Sequence, residues 1–186
     1  MRKNFGAKPI TFPQPVFIIA TYDENSTPDA MNAAWCSISG PAQLFLCLSP
    51  EHKSVKNMLA RKAFTVSMAD AAHVVECDYV GVVSANDVPD KFARAGFHAT
   101  KAEFVDAPII DELPMALECE LISYDAESHH CFAKIVNVNA EESILNENGN
   151  IDPAKLKPIT FDPANAAYCV LGEKVGNAFK DGFNLK

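Results

Sequence analysis

The stretch Leu44–Asn57, "LFLCLSPEHKSVKN", predicts a buried strand that leads straight into a helix. Leu44–Leu48 is a continuous apolar run bounded by turn residues, which is typical of a strand buried on both faces. Ser49 is a favourable N-cap, and Pro50 suits the first position of a helix. The apolar residues that follow recur with the i, i+3, i+4 spacing of a buried stripe, so the pattern predicts a helix to about Arg61.

The first turns of this helix carry basic and hydroxyl side chains in an otherwise acidic chain, namely His52, Lys53, Ser54 and Lys56. Basic residues oppose the positive end of the helix dipole, so local stability does not account for them. Together with Ser49 and the free amides of a helix N-terminus, they favour a bound tetrahedral anion such as phosphate. The other interpretation is a solvated helix end whose lysines serve solubility.

Around this strand and helix, the apolar pattern predicts a mainly β protein. The other predicted strands are Val16–Thr21, Met31–Ser39, Phe64–Met68, Leu117–Leu121, Cys131–Val138 and Tyr168–Leu171, and the other predicted helices are His73–Tyr79 and Pro89–Ala95. Glu118 and Glu120 alternate with apolar residues, which predicts a strand with one solvent-exposed face. The order of elements does not alternate as in a βαβ protein and suits an antiparallel barrel with helices around it.

Length and charge bound the classes of function. The chain has 186 residues, with 16 Lys and Arg against 24 Asp and Glu, and a formal net charge of -8. We expect one domain over residues 1–186. The acidic balance argues against nucleic acid and anionic membranes as partners. No apolar run approaches the roughly 20 residues that span a bilayer, and the N-terminus lacks the apolar core of an export signal.

The cysteine and histidine pattern predicts a reduced protein without a metal site. Six cysteines are widely scattered, and none forms a CxxC pair or a spacing typical of zinc ligands. We therefore expect reduced thiols and a cytoplasmic location. His129 and His130 lie near a predicted hairpin turn. We interpret them as ordinary surface residues and not as metal ligands.

Several catalytic classes lack their motifs in this chain. The sequence contains no G-x-G-x-x-G after a strand, no P-loop and no G-x-S-x-G elbow. An acidic stretch is interpreted as a solvated face rather than a catalytic pair; its members are Asp106, Asp111, Glu112, Glu118 and Glu120. No side chain is therefore predicted as a general base or nucleophile.

A second stretch, Asn32–Ser37, "NAAWCS", contains the single tryptophan of the chain. Small alanines allow backbone amides to approach a planar ligand, while Asn32 and Ser37 offer hydrogen bonds to its edge. The other interpretation is that Trp35 simply packs in the core, as single tryptophans commonly do.

With these motifs in order, the chain resembles the flavin reductase-like family of FMN-binding split-barrel proteins, especially its flavoredoxin branch. The resemblance runs from about Pro15 to Gly182. It is carried by "PVFIIATYD", "NAAWCS", "SPEHKSVKN", "VPDKFARAG", "APIIDELPMALECEL" and "YCVLGEKVGNAFKDG". The family implies a six-stranded antiparallel Greek-key split barrel with peripheral helices. It also implies a homodimer with FMN near the subunit interface.

The resemblance also implies which residues contact FMN. It places Asn32, Ala33, Ala34 and Trp35 along the flavin ring, with Ser37 close by. It places Ser49, Lys53 and Ser54 around the phosphate. Ser84 and Lys91 are expected near the flavin or its phosphate. After Ser84 the family often has a small residue followed by glycine, whereas this chain has "VSAND" with Ala85. The anion expected at the helix start is thus the FMN phosphate.

The activity that the resemblance implies is that of a flavoprotein oxidoreductase in which the bound flavin does the redox chemistry. One reading is NAD(P)H-dependent reduction of flavin or a small acceptor, with NADH or NADPH as a transient donor. In place of the Gly-Asp-His motif of many such reductases the chain reads "ESHHCFAKIV", so His129 or His130 is the candidate nicotinamide contact. The other readings are a flavoredoxin-like electron carrier between redox protein partners, and an FMN-binding protein without turnover.

Overall fold

The protein is mainly β, and a computed structural model describes residues 1–185. In chain order the strands are β1 (Gln14–Pro15), β2 (Phe17–Tyr22), β3 (Pro28–Ala33), β4 (Cys36–Gly40), β5 (Gln43–Cys47), β6 (Ala63–Met68), β7 (Ala99–Lys101), β8 (Pro108–Ile110), β9 (Met115–Asp125), β10 (His130–Ala140), β11 (Ile159–Asp162) and β12 (Ala167–Val170). The helices are α1 (Lys53–Arg61), α2 (Val74–Val82), α3 (Lys91–Arg94) and α4 (Pro153–Leu156), with 3-10 turns at Glu142–Ile144 and Asp181–Leu185.

Seven antiparallel strands form one sheet in the order β3-β2-β6-β9-β10-β5-β4. Its two edge strands, β3 and β4, are separated in the chain by Ala34 and Trp35 only. At most about 11 Å of chain can therefore lie between the end of β3 and the start of β4. The sheet must curl until its edges meet, which makes it a barrel with a split at one seam.

The seam explains a difference between the predicted and the observed strands. The pattern predicted one strand over Met31–Ser39, and this is wrong, because the segment is interrupted at Ala34 and Trp35 and pairs with β2 before the break and with β5 after it. Counting β3 and β4 as one bent strand reconciles the seven strands of the sheet with the six that were predicted. A local pattern cannot reveal the break, because both halves keep the extended backbone of a strand.

The barrel interior is apolar and is closed at one end by α1. Alternate residues of the seven strands point inwards, and Val55 and Met58 of α1 are fully buried against them. This spacing of two along strands and three along the helix is the periodicity that the sequence shows. The helix start is thereby held at the edge of the barrel.

A second core lies on the outer side of β2 and β3. Ile18 and Ala30 pack there against Val80 of α2, Phe92 of α3 and Ile159 of β11. This core fixes α2 across β3, next to the seam. The strands β1, β11 and β12 form a small separate sheet, and β7 pairs with β8.

Helix α1 begins later than predicted. His52 is the N-cap and Lys53 the first helical residue, whereas Ser49 and Pro50 belong to a preceding turn. In that turn the His52 amide donates to the Ser49 carbonyl at 3.3 Å. Proline suits the second position of a β-turn as well as the first position of a helix, so the motif fits both structures. The predicted end at Arg61 is confirmed.

The solvated face predicted for Glu118 is also wrong. Only 1% of Glu118 is exposed, and its carboxylate accepts hydrogen bonds from the Phe104 amide at 2.8 Å and from the amide groups of Asn137 and Asn139 at 2.8 and 3.1 Å. Burial acts to raise the pKa of Glu118, but these hydrogen bonds outweigh burial and lower it. Its neighbour Glu120 is exposed, as expected.

Two further observations concern the chain as a whole. None of the helices within residues 1–185 has the length and apolar character needed to cross a membrane. All six cysteines carry free thiols.

Candidate functional site

A cleft of about 370 Å³ opens at the seam of the barrel. Trp35 lines it with 44% of its surface exposed, so the interpretation of Trp35 as a core residue is wrong. Around Trp35 the cleft is lined by Met31, Asn32, Ala33, Ala34, Cys47, Leu48, His52, Asp78, Gly81, Val82, Phe161 and Tyr168. The structure thus brings the predicted ring contacts Asn32 to Trp35 to one wall.

Hydrogen bonds to the carbonyls of Ala34 and Trp35 hold this wall in place. The side-chain amide of Gln14 donates to the Ala34 carbonyl, and the Cys47 amide donates to the Trp35 carbonyl at 2.8 Å. Thr11 in turn donates its hydroxyl proton to the side-chain carbonyl of Gln14 at 2.8 Å. Both carbonyls at the break are therefore satisfied, and the wall is set before any ligand binds.

A glycine lets α2 approach β3 closely. A Cβ atom at Gly81 would lie 2.7 Å from the Cβ of Asn32, which is closer than real Cβ contacts. Asn32 also donates its side-chain N–H to the Cys77 carbonyl at 3.1 Å. The close approach and this hydrogen bond position the Asn32 side chain between β3 and α2, within the cleft wall.

Two aromatic side chains that were not predicted, Phe161 and Tyr168, also line the cleft. Tyr168 of β12 donates its hydroxyl proton to Asp78 of α2 at 2.7 Å, and its ring lies 6.0 Å from that of Phe161. Burial and the nearby Asp78 carboxylate raise the pKa of Tyr168 to about 12, so the phenol stays protonated. The sequence shows Tyr168 in a strand but has no signal that brings this strand to the seam.

A second cavity of about 240 Å³ adjoins the cleft and is lined by two of the three predicted phosphate contacts, Lys53 and Ser54. The two cavities share the lining residues Met31, Asn32, His52, Gly81 and Val82. The second cavity adds Lys53, Ser54, Ser84 and Lys91, together with Val80, Val83 and Ala85. Residues from four separate segments therefore meet in one continuous space.

The start of α1 supplies hydrogen-bond donors to this cavity. The first bonds inside the helix run from the Val55 and Lys56 amides to the His52 carbonyl, at 3.2 and 3.3 Å. The amides of Lys53 and Ser54 precede these bonds and are available to a ligand. Amides at a helix N-terminus, with a lysine beside them, form a site suited to a phosphate.

Two of the predicted FMN contacts already have partners inside the protein. Ser54 donates its hydroxyl proton to Asp29 at 2.6 Å. The Lys91 ammonium donates to the carbonyls of Val80 and Val83, each at 3.0 Å, and lies 3.6 Å from Asp29. The Ser54 hydroxyl can thus serve a ligand only as an acceptor, while its amide remains a donor.

Burial also acts on the charged groups beside the cavity. It lowers the pKa of Lys91, and the Asp29 carboxylate opposes that effect. Burial and the Lys91 charge lower the pKa of His52 in the same way. An anion in the cavity would favour the protonated forms of both groups, since opposite charges stabilise one another.

Ser37 and Ser49 lie outside the two cavities. Ser37 is exposed on β4 and donates its hydroxyl proton to the Ile38 carbonyl at 3.3 Å. Ser49 lies in the turn before α1 and accepts a bond of 3.5 Å from the Glu51 amide. Their contacts with a ligand stay predictions.

The hairpin with the two histidines ends beside the cleft. Cys47, which lines the cleft, is paired across the sheet with His130 and is bonded on its other side to Trp35. The Leu48 amide donates to the His129 carbonyl at 2.8 Å. His130 packs its ring on Phe45 at 5.1 Å. Either histidine is thus within one strand of the cleft wall.

Comparison with known proteins agrees with this geometry. A family model described as "flavin reductase like domain" matches residues 10–161. The chain belongs to this family. The matched range contains β2 to β10, the lining of both cavities except Tyr168, and every residue that the sequence assigned to FMN.

Two solved structures show what the flavin reductase-like chain is similar to. The flavoredoxin of Desulfovibrio vulgaris (Miyazaki F) is 35% identical, with a TM-score of 0.93 over 98% of this chain and 100% of that one. The flavoredoxin from Methanosarcina acetivorans is 23% identical, with a TM-score of 0.88 and full coverage of both chains, and this likeness concerns the fold. The split-barrel fold is thereby confirmed.

Sequence relatives match over shorter segments. A protein of Aquifex aeolicus (strain VF5), described as uncharacterized, is 32% identical over 108 residues, which are 57% of this chain and 55% of the relative. The match with a protein of Aeropyrum pernix, also described as uncharacterized, covers 45% of that relative. The chain spans about half the length of the curated relatives it matches.

Proposed function

We propose that this protein is an FMN-binding flavoprotein oxidoreductase whose single domain extends over residues 1–186. The observation that carries the proposal is the continuity of the two cavities. One has a wall of small and aromatic residues around Trp35, and the other has the start of α1 with Lys53. FMN is a planar ring joined to a phosphate, so it needs a wall of this kind for the ring and a cluster of donors of this kind for the phosphate.

The residues present fit FMN on their own chemistry. The amides of Lys53 and Ser54 and the Lys53 ammonium would hold the phosphate, because a dianion reverses the unfavourable placement of a lysine at a helix start. Ala33 to Trp35 and Tyr168, which all line the cleft, would hold the ring. FMN, when bound, supplies the exchange of electrons, and the protein binds it, orients it and excludes water from it.

Two observations favour different electron donors. The position of His129 and His130 beside the cleft favours an NAD(P)H-dependent reductase of flavin or a small acceptor. The 35% identity to the flavoredoxin of D. vulgaris favours a carrier that exchanges electrons with protein partners. We place the reductase first and the carrier second, with an FMN-binding protein without turnover as the third reading.

The visible spectrum of the purified protein, before and after NADH or NADPH is added without oxygen, tests the proposal. A retained flavin spectrum that bleaches quickly on addition supports the reductase. A retained spectrum that does not bleach, but bleaches with a chemical reductant, supports the carrier. A protein that neither retains nor rebinds FMN contradicts all three readings.

We further propose that the protein is a homodimer in the cytoplasm. Val175 and Phe179 near the C-terminus are essentially fully exposed, and Ile38 and Trp35 are exposed at the edge of the sheet. Large apolar side chains in such positions are suited to an interface between two copies of the chain.

A further inference from the structure

Asp29 is a buried carboxylate that links the two sides of the proposed phosphate site. It lies on β3 and is only 5% exposed. One of its oxygens, Oδ2, accepts the Ser54 hydroxyl proton at 2.6 Å, and Ser54 is the second residue of α1. Its other oxygen, Oδ1, lies 3.6 Å from the Lys91 ammonium.

Lys91 carries this link across to α2. Its Nζ donates to the carbonyls of Val80 and Val83, at the end of that helix, each at 3.0 Å. An ammonium has three N–H donors. The distance of 3.6 Å to Asp29 is longer than a normal hydrogen bond, so the third donor is not taken up by the carboxylate.

Oδ1 of Asp29 accepts no hydrogen bond from any of the described residues, although it is buried. A buried charge that lacks a hydrogen bond is costly and is kept when a nearby opposite charge compensates it. Here the compensating charge is Lys91, which makes two hydrogen bonds of normal length among the described residues and so has a third donor for a ligand. A lysine buried to this extent tends to lose its proton unless a carboxylate stays close.

We propose that Asp29 is a positioning residue of the phosphate site. Asp29 holds Ser54 and the charged Lys91 in place, so that Lys91 and the first amides of α1 bind the same phosphate. This inference rests on the proposed FMN function. Asp29 does not itself line the cavity. Its Oδ2 is covered by Ser54, and this separation keeps two negative groups apart while both stabilise one cation.

The test compares Asp29→Asn, Lys91→Met and the double variant with the wild-type protein. Dissociation constants for FMN and for riboflavin, which lacks the phosphate, are measured by flavin fluorescence. Asp29→Asn keeps the volume and a partner for Ser54 but removes the charge. We expect it to weaken FMN binding about tenfold or more, as loss of one partner of a buried charge pair does, and to change riboflavin binding little.

The double variant shows whether Asp29 acts through Lys91. Lys91→Met should weaken FMN binding by itself, and Asp29→Asn should then add little. Asp106→Asn is the matched control, since Asp106 is an exposed carboxylate that pairs with Arg61 away from the cavities. The control should bind FMN as the wild-type protein does.

The pH dependence of binding adds a readout that a merely structural role would not change. The titratable groups that face Lys91 are Asp29 from β3 and His52 from the start of α1. Without Asp29 the pKa of Lys91 falls further, so the loss of FMN affinity in Asp29→Asn should grow as the pH rises from about 7 to about 9.5, below the ordinary lysine value. In Lys91→Met this dependence should disappear.

The possible results separate the inference from the proposed function. If wild-type protein binds no FMN, the proposed function fails and the inference with it. If wild-type protein binds FMN but Asp29→Asn binds it equally well or better, or loses FMN and riboflavin to the same extent, the inference alone is overturned. If Asp29→Asn does not fold, the pH profile of Lys91→Met decides: a profile like that of the wild-type protein contradicts the role of the pair.

Discussion

The side chains around the phosphate cavity differ in how far they are already engaged. Ser54 and Lys91 have partners within the protein, whereas the Lys53 side chain lies half-buried at the cavity wall and extends from the first residue of α1. Of the three, Lys53 should therefore depend most on the ligand. Lys56, one turn further along the same helix, is exposed and lines neither cavity.

Lys53→Ala is expected to weaken FMN binding and to leave riboflavin binding nearly unchanged. A charged hydrogen bond contributes about 1.5–3 kcal/mol, which corresponds to a loss of about 10- to 100-fold. Titration followed by flavin fluorescence measures both ligands. Lys56→Ala removes the same charge from the same helix and should have little effect on either. Equal losses for FMN and riboflavin in Lys53→Ala would contradict the assignment of the phosphate cavity.

The histidines at the hairpin separate the reductase from the carrier. If the protein oxidises NAD(P)H, replacing His129 and His130 by alanine should raise the KM for NAD(P)H by the equivalent of about 1–3 kcal/mol, because one or two hydrogen bonds are lost. FMN affinity should not change. Steady-state kinetics with the FMN-loaded protein measures the effect, and His98→Ala is the control, since His98 pairs with Glu112 at the surface. An unchanged KM in an active double variant excludes this role.

At the scale of elements, the site depends on how closely α2 lies on β3. Asn32 bridges them through the Cys77 carbonyl, and Gly81 is the position where a side chain has no room. The cleft and the second cavity share these two residues. Any displacement of α2 therefore changes both cavities at once.

Gly81→Ala is expected to displace α2 or to push Asn32 into the cleft. Its Cβ would lie 2.7 Å from that of Asn32, and such overpacking costs about 1–3 kcal/mol of the free energy of unfolding. Chemical denaturation measures the stability, and fluorescence titration should show weaker binding of FMN and riboflavin alike. Gly40→Ala is the matched control, because a Cβ there has its nearest neighbour at 3.6 Å. Wild-type stability and affinity in Gly81→Ala would show that α2 does not need this close contact.

At the scale of the whole molecule, the barrel leaves apolar side chains at its seam and in its C-terminal segment uncovered. A second copy of the chain is the cover that we propose for them. Since the cleft opens at the same seam, association of two copies would also bring a partner chain close to the ring of the flavin.

We expect light scattering to give a mass of about 40 kDa, twice the 20.2 kDa of one chain, for a closed dimer with a twofold axis. The measurement is made at micromolar concentration with FMN bound. Phe179→Ser tests whether the C-terminal segment takes part in the dimer interface, because Phe179 is exposed in the single chain. A monomer with FMN bound would contradict the dimer.

Elements whose signal is local could be predicted from the amino-acid pattern alone. Neighbouring side chains alone show the apolar stripe of α1, the buried apolar residues of β5 and the alternating apolar residues of β6. They also show the density of hydrogen-bond donors at Lys53. The motifs also pointed to the correct family, because their order along the chain is specific even where each is weak.

The burial and pairing of polar side chains could not be predicted, because they depend on segments that are distant in the sequence. Glu118 has the pattern of a solvated residue, yet a loop and the strand β10 cover it. Asp29 carries no motif in the sequence, yet it lies between α1 and Lys91. Tyr168 reaches the cleft from a strand far along the chain. A sequence pattern records which face of an element is apolar, but burial and pairing of polar groups depend on which remote element covers that face, and only the closed barrel specifies that.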